Sequence, residues 1–382
     1  MQRQSKKKEA KPFTCRISEL KHAKESISKS KTVAVLAASG LGRTYLLNNI
    51  CDNSNSFYID LRKLSPTPES FSVEFIAALC KDSVQQPSID YLSKLKLSKE
   101  CNEIIATVKN ELEKIKPDQQ LLLDSAFRFA QSFKINDKKT IIAINNFEEL
   151  LKLNSFSKIS DSIGTFFSHA DKAGCSYIIS SSAVHLMKTA LKQYKIDSIN
   201  LKPLKLEAVH DLFESIAGKI DKRISTEVLN ISAGLPIAII SIAQRFAKEK
   251  SEDVQQNISL IHHIFDSELV TKYSRLHSYS RNLFTDSLNR ARGESLLKAI
   301  LKVVSQNRPM RLTEIAHLIF RSGPVTKSLI ERLVEVDMLV KTDNTFDFAN
   351  PVLRRWCYFM FRSIEFEETP EETTLSKTGG PL

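Results

Sequence analysis

Residues 37–44 read Ala37-Ala38-Ser39-Gly40-Leu41-Gly42-Arg43-Thr44, between the β-rich run TVAVLA and the helical pattern TYLLNNIC. A small-residue loop that feeds a helix N-terminus presents main-chain N–H groups and a partial positive charge to an anion. A phosphate loop of the form GxxxxGK[ST] works in this way. Its glycines let the backbone crowd the phosphates, its lysine reaches the β/γ oxygens, and its hydroxyl ligates magnesium. Gly40, Gly42 and Thr44 meet that pattern, whereas Ala37 stands at the first glycine and Arg43 at the lysine. A guanidinium is planar and wide where the ammonium is a compact point charge, so Arg43 can pair with phosphate without reproducing the lysine's fit. Ser39, Gly40, Leu41, Gly42, Arg43, Thr44 and Tyr45 are the candidate nucleotide-binding residues, with Thr44 the metal ligand if magnesium is held.

The second chemical position is the end of the run IIAI, at Asn145-Asn146. In phosphate-loop ATPases such a strand ends in two acids, one holding the magnesium shell and one polarising the attacking water. An amide offers no charge to a cation and no useful basicity to water. With Arg43 at the lysine position, no catalytic residue is expected, and hydrolysis is unfavoured. Glu148 and Glu149 are the in-chain substitutes for a base, but they lie past the strand and are expected to face away.

These positions need a scaffold, and the hydrophobic patterning supplies one. Strands are predicted at 32–37, 56–64, 140–144, 175–182 and 198–204, separated by helical patterns, among them two within 98–136 split at Lys116-Pro117. Strands alternating with helices at this spacing predict an α/β fold, a five-stranded parallel sheet with helices on both faces. After Pro203 the pattern is helical, a lid over 205–289. From 290 three helices precede LVKTDNTFDF, two short strands joined by Asp343-Asn344 as a two-residue turn. That order predicts a C-terminal winged helix-turn-helix over 290–362. A basic arm (1–12), a core (13–204) and an acidic tail (363–382) complete the organisation.

The chain has 382 residues, 42% hydrophobic and 26% charged, which suits a globular protein with a sizeable core. No apolar run approaches the roughly 18 residues of a membrane span, so no membrane partner is expected. Six cysteines without a CxxC pair predict reduced, buried thiols in a cytoplasmic protein, and no metal site. The net charge is +11, and residues 1–31 hold ten Lys/Arg against three Glu. Such an arm suits nucleic acid, an acidic partner or solvent equally.

Five stretches in one order resemble the AAA+/STAND-type P-loop ATPases, in the archaeal-ATPase, Orc1/Cdc6-like branch. They are FTCRISEL, ASGLGRTYLLNN, IIAINNFEELL, IISSSAVHLM and SAGLPIAI, and FANPVLRRW resembles the segment that closes the winged helix. The resemblance implies an AAA+-like P-loop sheet, a helical lid and a winged helix, with ATP or ADP and magnesium as cofactors. It also implies a polar sensor turn at Ser180–Ser182 and a lid motif at Gly234 and Pro236, which adds Ser182 and Pro236 to the nucleotide-binding set. The family couples nucleotide to DNA or to partner subunits. This sequence departs from its pattern at Cys15, Ala37, Arg43, Asn145 and Asn146, all where nucleotide is handled. Nucleotide binding is therefore expected to be weak or absent, and magnesium is not expected.

In the third helix of the winged domain, Val325, Leu329, Ile330, Leu333 and Val336 are predicted to face the core. Thr326, Lys327, Ser328, Glu331, Arg332 and Glu335 are left outward. Thr326, Lys327, Ser328 and Arg332, with Lys341 on the wing, are the candidate DNA contacts, although two acids on that face repel phosphates. The function expected is that of a catalytically impaired ATPase-like subunit binding DNA or a protein partner, such as an active ATPase subunit or a second copy of itself. The alternatives are a slow ATP-hydrolysing switch coupled to DNA, and a scaffold that binds neither ligand.

Overall fold

In a computed structural model, residues 16–29, 32–51, 56–80, 87–132, 140–172, 174–307 and 309–362 are described. The basic arm 1–12, Cys15 and the acidic tail 363–382 lie outside them. The chain divides into two compact units, Ser18–Leu201 and a second from Lys202 onward.

The first unit holds β1 (Thr32–Leu36), β2 (Ser56–Asp60), β3 (Ile141–Asn145), β4 (Ser176–Ser181) and β5 (Asp197–Asn200). All five pair in parallel in the order β2-β3-β4-β1-β5. Burial follows position. Every residue of β1 and β4 is buried, as a strand covered on both faces must be, whereas only Ile199 is buried on the edge strand β5. The helices are α1 (Ile17–Lys29), α2 (Arg43–Ile50), α3 (Pro68–Leu79), α4 (Ile89–Leu92), α5 (Lys99–Leu112), α6 (Gln119–Ser132), α7 (Ser162–Ala170) and α8 (Val184–Ala190). Their start signals are local. Pro68 opens α3, the Ser98 hydroxyl accepts from the Cys101 N–H at α5, and Asp161 accepts from the Gly164 N–H at α7.

Phe71, Phe75, Phe127, Phe147, Phe166 and Tyr177 form an aromatic core between α3, α6, α7 and the sheet, mostly edge-to-face at 5.0 to 6.2 Å. The segment after β3 is a run of 3-10 helix, Phe147–Ser155, rather than the α-helix expected there. It pins Phe147 and Leu150 in the core and turns Glu148 back toward the strand ends.

The second unit begins with α9 (Leu206–Ala217), α10 (Lys222–Ser232) and α11 (Pro236–Glu249), as the pattern predicts. Next come α12 (Val254–Val270) and α13 (Arg275–Ala291), which the sequence reading did not single out. Gly234 ends the α10 segment at φ 70°, and an added Cβ would lie 2.4 Å from the Leu204 carbonyl oxygen, so only glycine fits. The chain then forms α14 (Glu294–Gln306), β6 (Met310–Arg311), α15 (Leu312–Leu318), α16 (Gly323–Glu335), β7 (Leu339–Thr342), β8 (Thr345–Phe348) and α17 (Pro351–Met360). The three strands make an antiparallel sheet in the order β6-β8-β7. Trp356 is fully buried against Phe284, Phe348 is buried and Phe346 is half-buried.

One helix phase requires correction. Thr326, expected on the outer face of α16, is 0% exposed, and its hydroxyl donates to the Ser322 carbonyl. Val325, expected in the core, is 44% exposed. Leu329, Ile330 and Leu333 set the buried stripe, and the position three before Leu329 is Thr326. Among the described residues no helix is long and apolar enough to cross a membrane.

Candidate functional site

Parallel pairing brings the carboxyl ends of four strands into one row. Asp60 pairs with Asn145, Ile144 with Ile179, and Leu36 with Ser181. The Ala37 N–H donates to the Ser181 carbonyl at 3.2 Å, so the loop of residues 37–42 leaves the sheet beside the end of β4. In open parallel sheets ligands bind beyond the carboxyl ends of the strands.

The loop closes on itself through Leu41 N–H to the Ala38 carbonyl, and Gly40 and Gly42 take φ of 85° and 91°. Gly42 is the N-cap of α2, and no side chain caps this helix end. A Cβ on Gly42 would meet nothing within 4 Å, so glycine is needed there for its backbone angle alone. Ser39 to Tyr45 form this loop and the first turn of α2. Leu41 is buried, Thr44 is exposed and the others are intermediate.

Arg43 folds inward. Its Nη1 is fully buried with no hydrogen-bond partner. Burial holds its pKa below the ordinary guanidinium value, against an opposing pull from Glu148, while Arg62 adds to the lowering and Tyr58 and Asp60 oppose it. The guanidinium therefore lies within electrostatic reach of the β2 end and of Glu148.

Asn145 and Asn146 are buried and committed. The Asn145 side chain donates to the Tyr58 hydroxyl at 2.9 Å and accepts from the Ser180 hydroxyl at 2.6 Å. Asn146 donates to Asp60 Oδ1 at 2.7 Å, and adopts a left-handed φ of 56°. Thr44, whose hydroxyl is a magnesium ligand in an intact loop, is exposed, and its side chain lies near enough to the Tyr58 hydroxyl to lower that group's pKa. Burial and Asp60 raise the Tyr58 hydroxyl above the ordinary phenol value.

Glu148 corrects another expectation. It is buried and does not face away. Its Oε1 accepts from the Ser182 N–H at 3.3 Å and hydroxyl at 2.9 Å, while its Oε2 is buried without a partner. The chain enters this 3-10 run through Asn146 at a left-handed φ of 56°, and Glu148 is its second residue. Glu149 is held by Arg62 at 3.5 Å and Lys152 at 2.5 Å. Ser182 joins this cluster, and Ser181 accepts from the Ala183 N–H ahead of α8. Pro236, from the same candidate set, is buried at the start of α11 in the other unit.

Sequence reasoning missed Tyr58 and Asp60. Their signal was present: in SFYID they are two residues apart, hence on one face of β2, with Asp60 at the carboxyl end.

The candidate DNA contacts sit in the second unit. Lys327, Ser328, Arg332 and Lys341 are exposed, whereas Thr326 is not. Lys327 faces Glu331 at 3.9 Å, and Arg332 donates to the Arg292 carbonyl at 3.3 Å. Arg355 is paired through two nitrogens with Asp266 on α12, at 2.9 and 3.1 Å, and Arg354 binds the Asn307 carbonyl and Asp347. Phe320, in the turn between α15 and α16, is 84% exposed at a left-handed φ of 54°. Leu318 and Val325 are exposed on either side of it in sequence.

No protein-family profile and no curated protein sequence matches the chain. Solved structures do. The Walker-type ATPase of Pyrococcus abyssi superposes with a TM-score of 0.64 at 17% identity, over 90% of this chain and 95% of that one. A signal transduction ATPase with numerous domains from Pyrococcus horikoshii, which carries a tetratricopeptide repeat sensor, gives 0.37 at 15% identity, over 88% of this chain and 42% of that one. Thermotoga maritima RuvB gives 0.38 at 11% identity, over 86% and 90%. With its phosphate-loop strand between β4 and β5 in a β2-β3-β4-β1-β5 sheet, and with that likeness to a Walker-type ATPase along 90% of its length, the chain has the fold of the AAA+ P-loop ATPases.

Proposed function

We propose that this chain is a non-hydrolysing subunit of AAA+ fold that acts by binding a protein partner, and that residues 290–362 form a winged helix serving as the docking face. The observation that carries the first half is the closed amide network at the end of β3. Both polar atoms of Asn145 are used by Tyr58 and Ser180, and Asn146 is bonded to Asp60. Among the described residues no cluster of His, Cys, Asp or Glu could hold a metal ion, the amides after β3 offer a cation no charge, and the Arg43 cation already lies within electrostatic reach of Asp60 and Glu148. These residues do not suit magnesium. Glu148 has a carboxylate oxygen that is buried and unpartnered. Without a metal to gather the phosphates and leaving group, that carboxylate has no water to activate in line.

The docking half is supported by the character of the face. Exposed Leu318, Phe320 and Val325 adjoin cations that are interspersed with Glu314, Glu331 and Glu335. An aromatic anchor amid mixed charge suits a protein surface better than a polyanion, which calls for an uninterrupted cationic face. Arg354 and Arg355, which would add to such a face, are engaged inside the unit.

The test is co-purification of the full chain from its source, before and after Phe320→Ala. The expected partner is an AAA+ ATPase with a lysine in its loop and an acidic pair after its third strand, held by the wild type and lost with the variant. Tight duplex binding that is steeply salt-dependent and unaffected by Phe320→Ala would replace the protein partner with DNA.

A further inference from the structure

The amino ends of the strands border a cavity that has no part in the nucleotide site. β4 runs through six residues, Ser176–Ser181, or roughly 17 Å, so the turn before it lies at the end of the sheet opposite the loop 37–42. There a cavity of about 730 Å³ opens between the first turn of α5, the end of α6 and the turn from α7 into β4. That volume falls within the roughly 300–1,000 Å³ of small-molecule sites.

The charge of its wall is one-sided. Lys96 and Lys99 line one side and Lys172 another, against the single acid Glu100. Among the described residues the Lys96 and Lys172 amines have no hydrogen-bond or ion-pair partner, and Lys99 has only Glu103, at 4.0 Å. α5 brings its N-terminal end to the same cavity, from the N-cap Ser98 to Cys101. The Ser98 hydroxyl accepts from the Cys101 N–H, whereas the Lys99 and Glu100 N–H groups have no intrahelical acceptor. Gln131 adds a donor. Its Oε1 is 3.4 Å from His169 Nδ1, and His169 Nε2 is 3.0 Å from Asp124 Oδ1, so the amide nitrogen is the end of Gln131 left to bind. The negative pole of α6 ends here too and opposes an anion by about half a charge, which the positive pole of α5 offsets. Three ammonium groups then stand against one carboxylate.

We infer that this cavity binds a small compound carrying two or more phosphate groups. Lysine ammonium groups act as point charges toward a tetrahedral oxyanion, and first-turn N–H groups of a helix are ready-made donors to one. An excess of two positive charges calls for a ligand with at least two negative ones. Exposed Glu103 and Asp171 bound the cations in sequence, so the positive charge does not continue as a track for a nucleic-acid strand.

The experiment is calorimetric titration of the full chain with inorganic tripolyphosphate, with citrate as a multiply charged carboxylate, and with a short single-stranded oligonucleotide. Tripolyphosphate should bind with a Kd of about 10 μM to 1 mM and more tightly than the other two. The combined variant Lys96→Gln, Lys99→Gln, Lys172→Gln should weaken it tenfold or more, and Arg43→Gln, at the other end of the sheet, should leave it within twofold. Circular dichroism establishes that both variants are folded. Amine acetylation read by mass spectrometry locates the ligand: tripolyphosphate should protect Lys96, Lys99 and Lys172 and leave Lys327 and Lys341 as reactive as before. No binding of tripolyphosphate, binding untouched by the combined variant, or binding lost with Arg43→Gln overturns the inference. Citrate or the oligonucleotide bound more tightly than tripolyphosphate, and weakened by the same variant, overturns the assignment of a small phosphate compound.

Discussion

Asn145 illustrates how a changed residue is fitted to its place. Its amide is a donor on one side and an acceptor on the other, and the two neighbours it serves are a phenol and a serine hydroxyl, the latter fully buried. Asn145→Ala would strand Ser180 and remove the amide that donates to Tyr58, at a cost of about 1–3 kcal/mol. Urea denaturation of the purified variant checks this, and a midpoint equal to the wild type's would show the network to be idle. Gly234 gives a second residue-scale prediction. Gly234→Ala forces a Cβ onto the Leu204 backbone at a left-handed φ and should cost about 2–4 kcal/mol. Burial raises the Cys51 thiol to about 11, so it should alkylate slowly at mildly alkaline pH until the protein is unfolded.

At the scale of elements, the sequence was legible wherever periodicity and caps spoke together. The five strands stand within a few residues of their expected positions because their apolar runs are bounded by turn residues, and α5 and α6 separate at Lys116-Pro117 as proline dictates. The phase of α16 was misread because valine looks like core and threonine like surface, whereas burial is decided by the stripe of Leu329, Ile330 and Leu333. Thr326→Lys should therefore destabilise the domain by about 2 kcal/mol or more, while Val325→Lys stays within about 0.5 kcal/mol. The reverse order in thermal denaturation would restore the original phase. Glu148 was misjudged for a related reason: its direction depends on a 3-10 turn after β3, and apolar spacing does not distinguish that turn from an α-helix. Between α6 and α7, His169 is hydrogen-bonded to Asp124 at 3.0 Å, and that bond holds the carboxyl below the ordinary range despite opposing burial. A carboxyl depressed in the folded state stabilises above its unfolded value of about 3.9 and loses that contribution as pH falls through the folded value. The carboxyl is partly exposed, so Asp124→Asn should cost only about 0.5 kcal/mol near neutrality, with the gap from wild type closing in acid.

At the scale of the molecule, the first unit holds the P-loop-like sheet, with amides at the end of β3 and a guanidinium at the lysine position of the loop, and the second holds the face proposed to dock a partner. The net charge of +11 invites a nucleic-acid reading, but on the face of α16 the exposed cations alternate with acids and flank exposed apolar side chains. Charge reversal at Lys327, Arg332 and Lys341 should leave partner binding within a fewfold of the wild type, and Phe320→Ala should reduce it far more. The central claim concerns turnover, and one measurement bears on it most directly. Purified wild-type chain, free of other ATPases, is incubated with ATP and magnesium, and inorganic phosphate is followed through many equivalents. The account predicts no release above that of the nucleotide alone. Steady release at an ordinary enzymatic rate, abolished by Thr44→Ala, would contradict it.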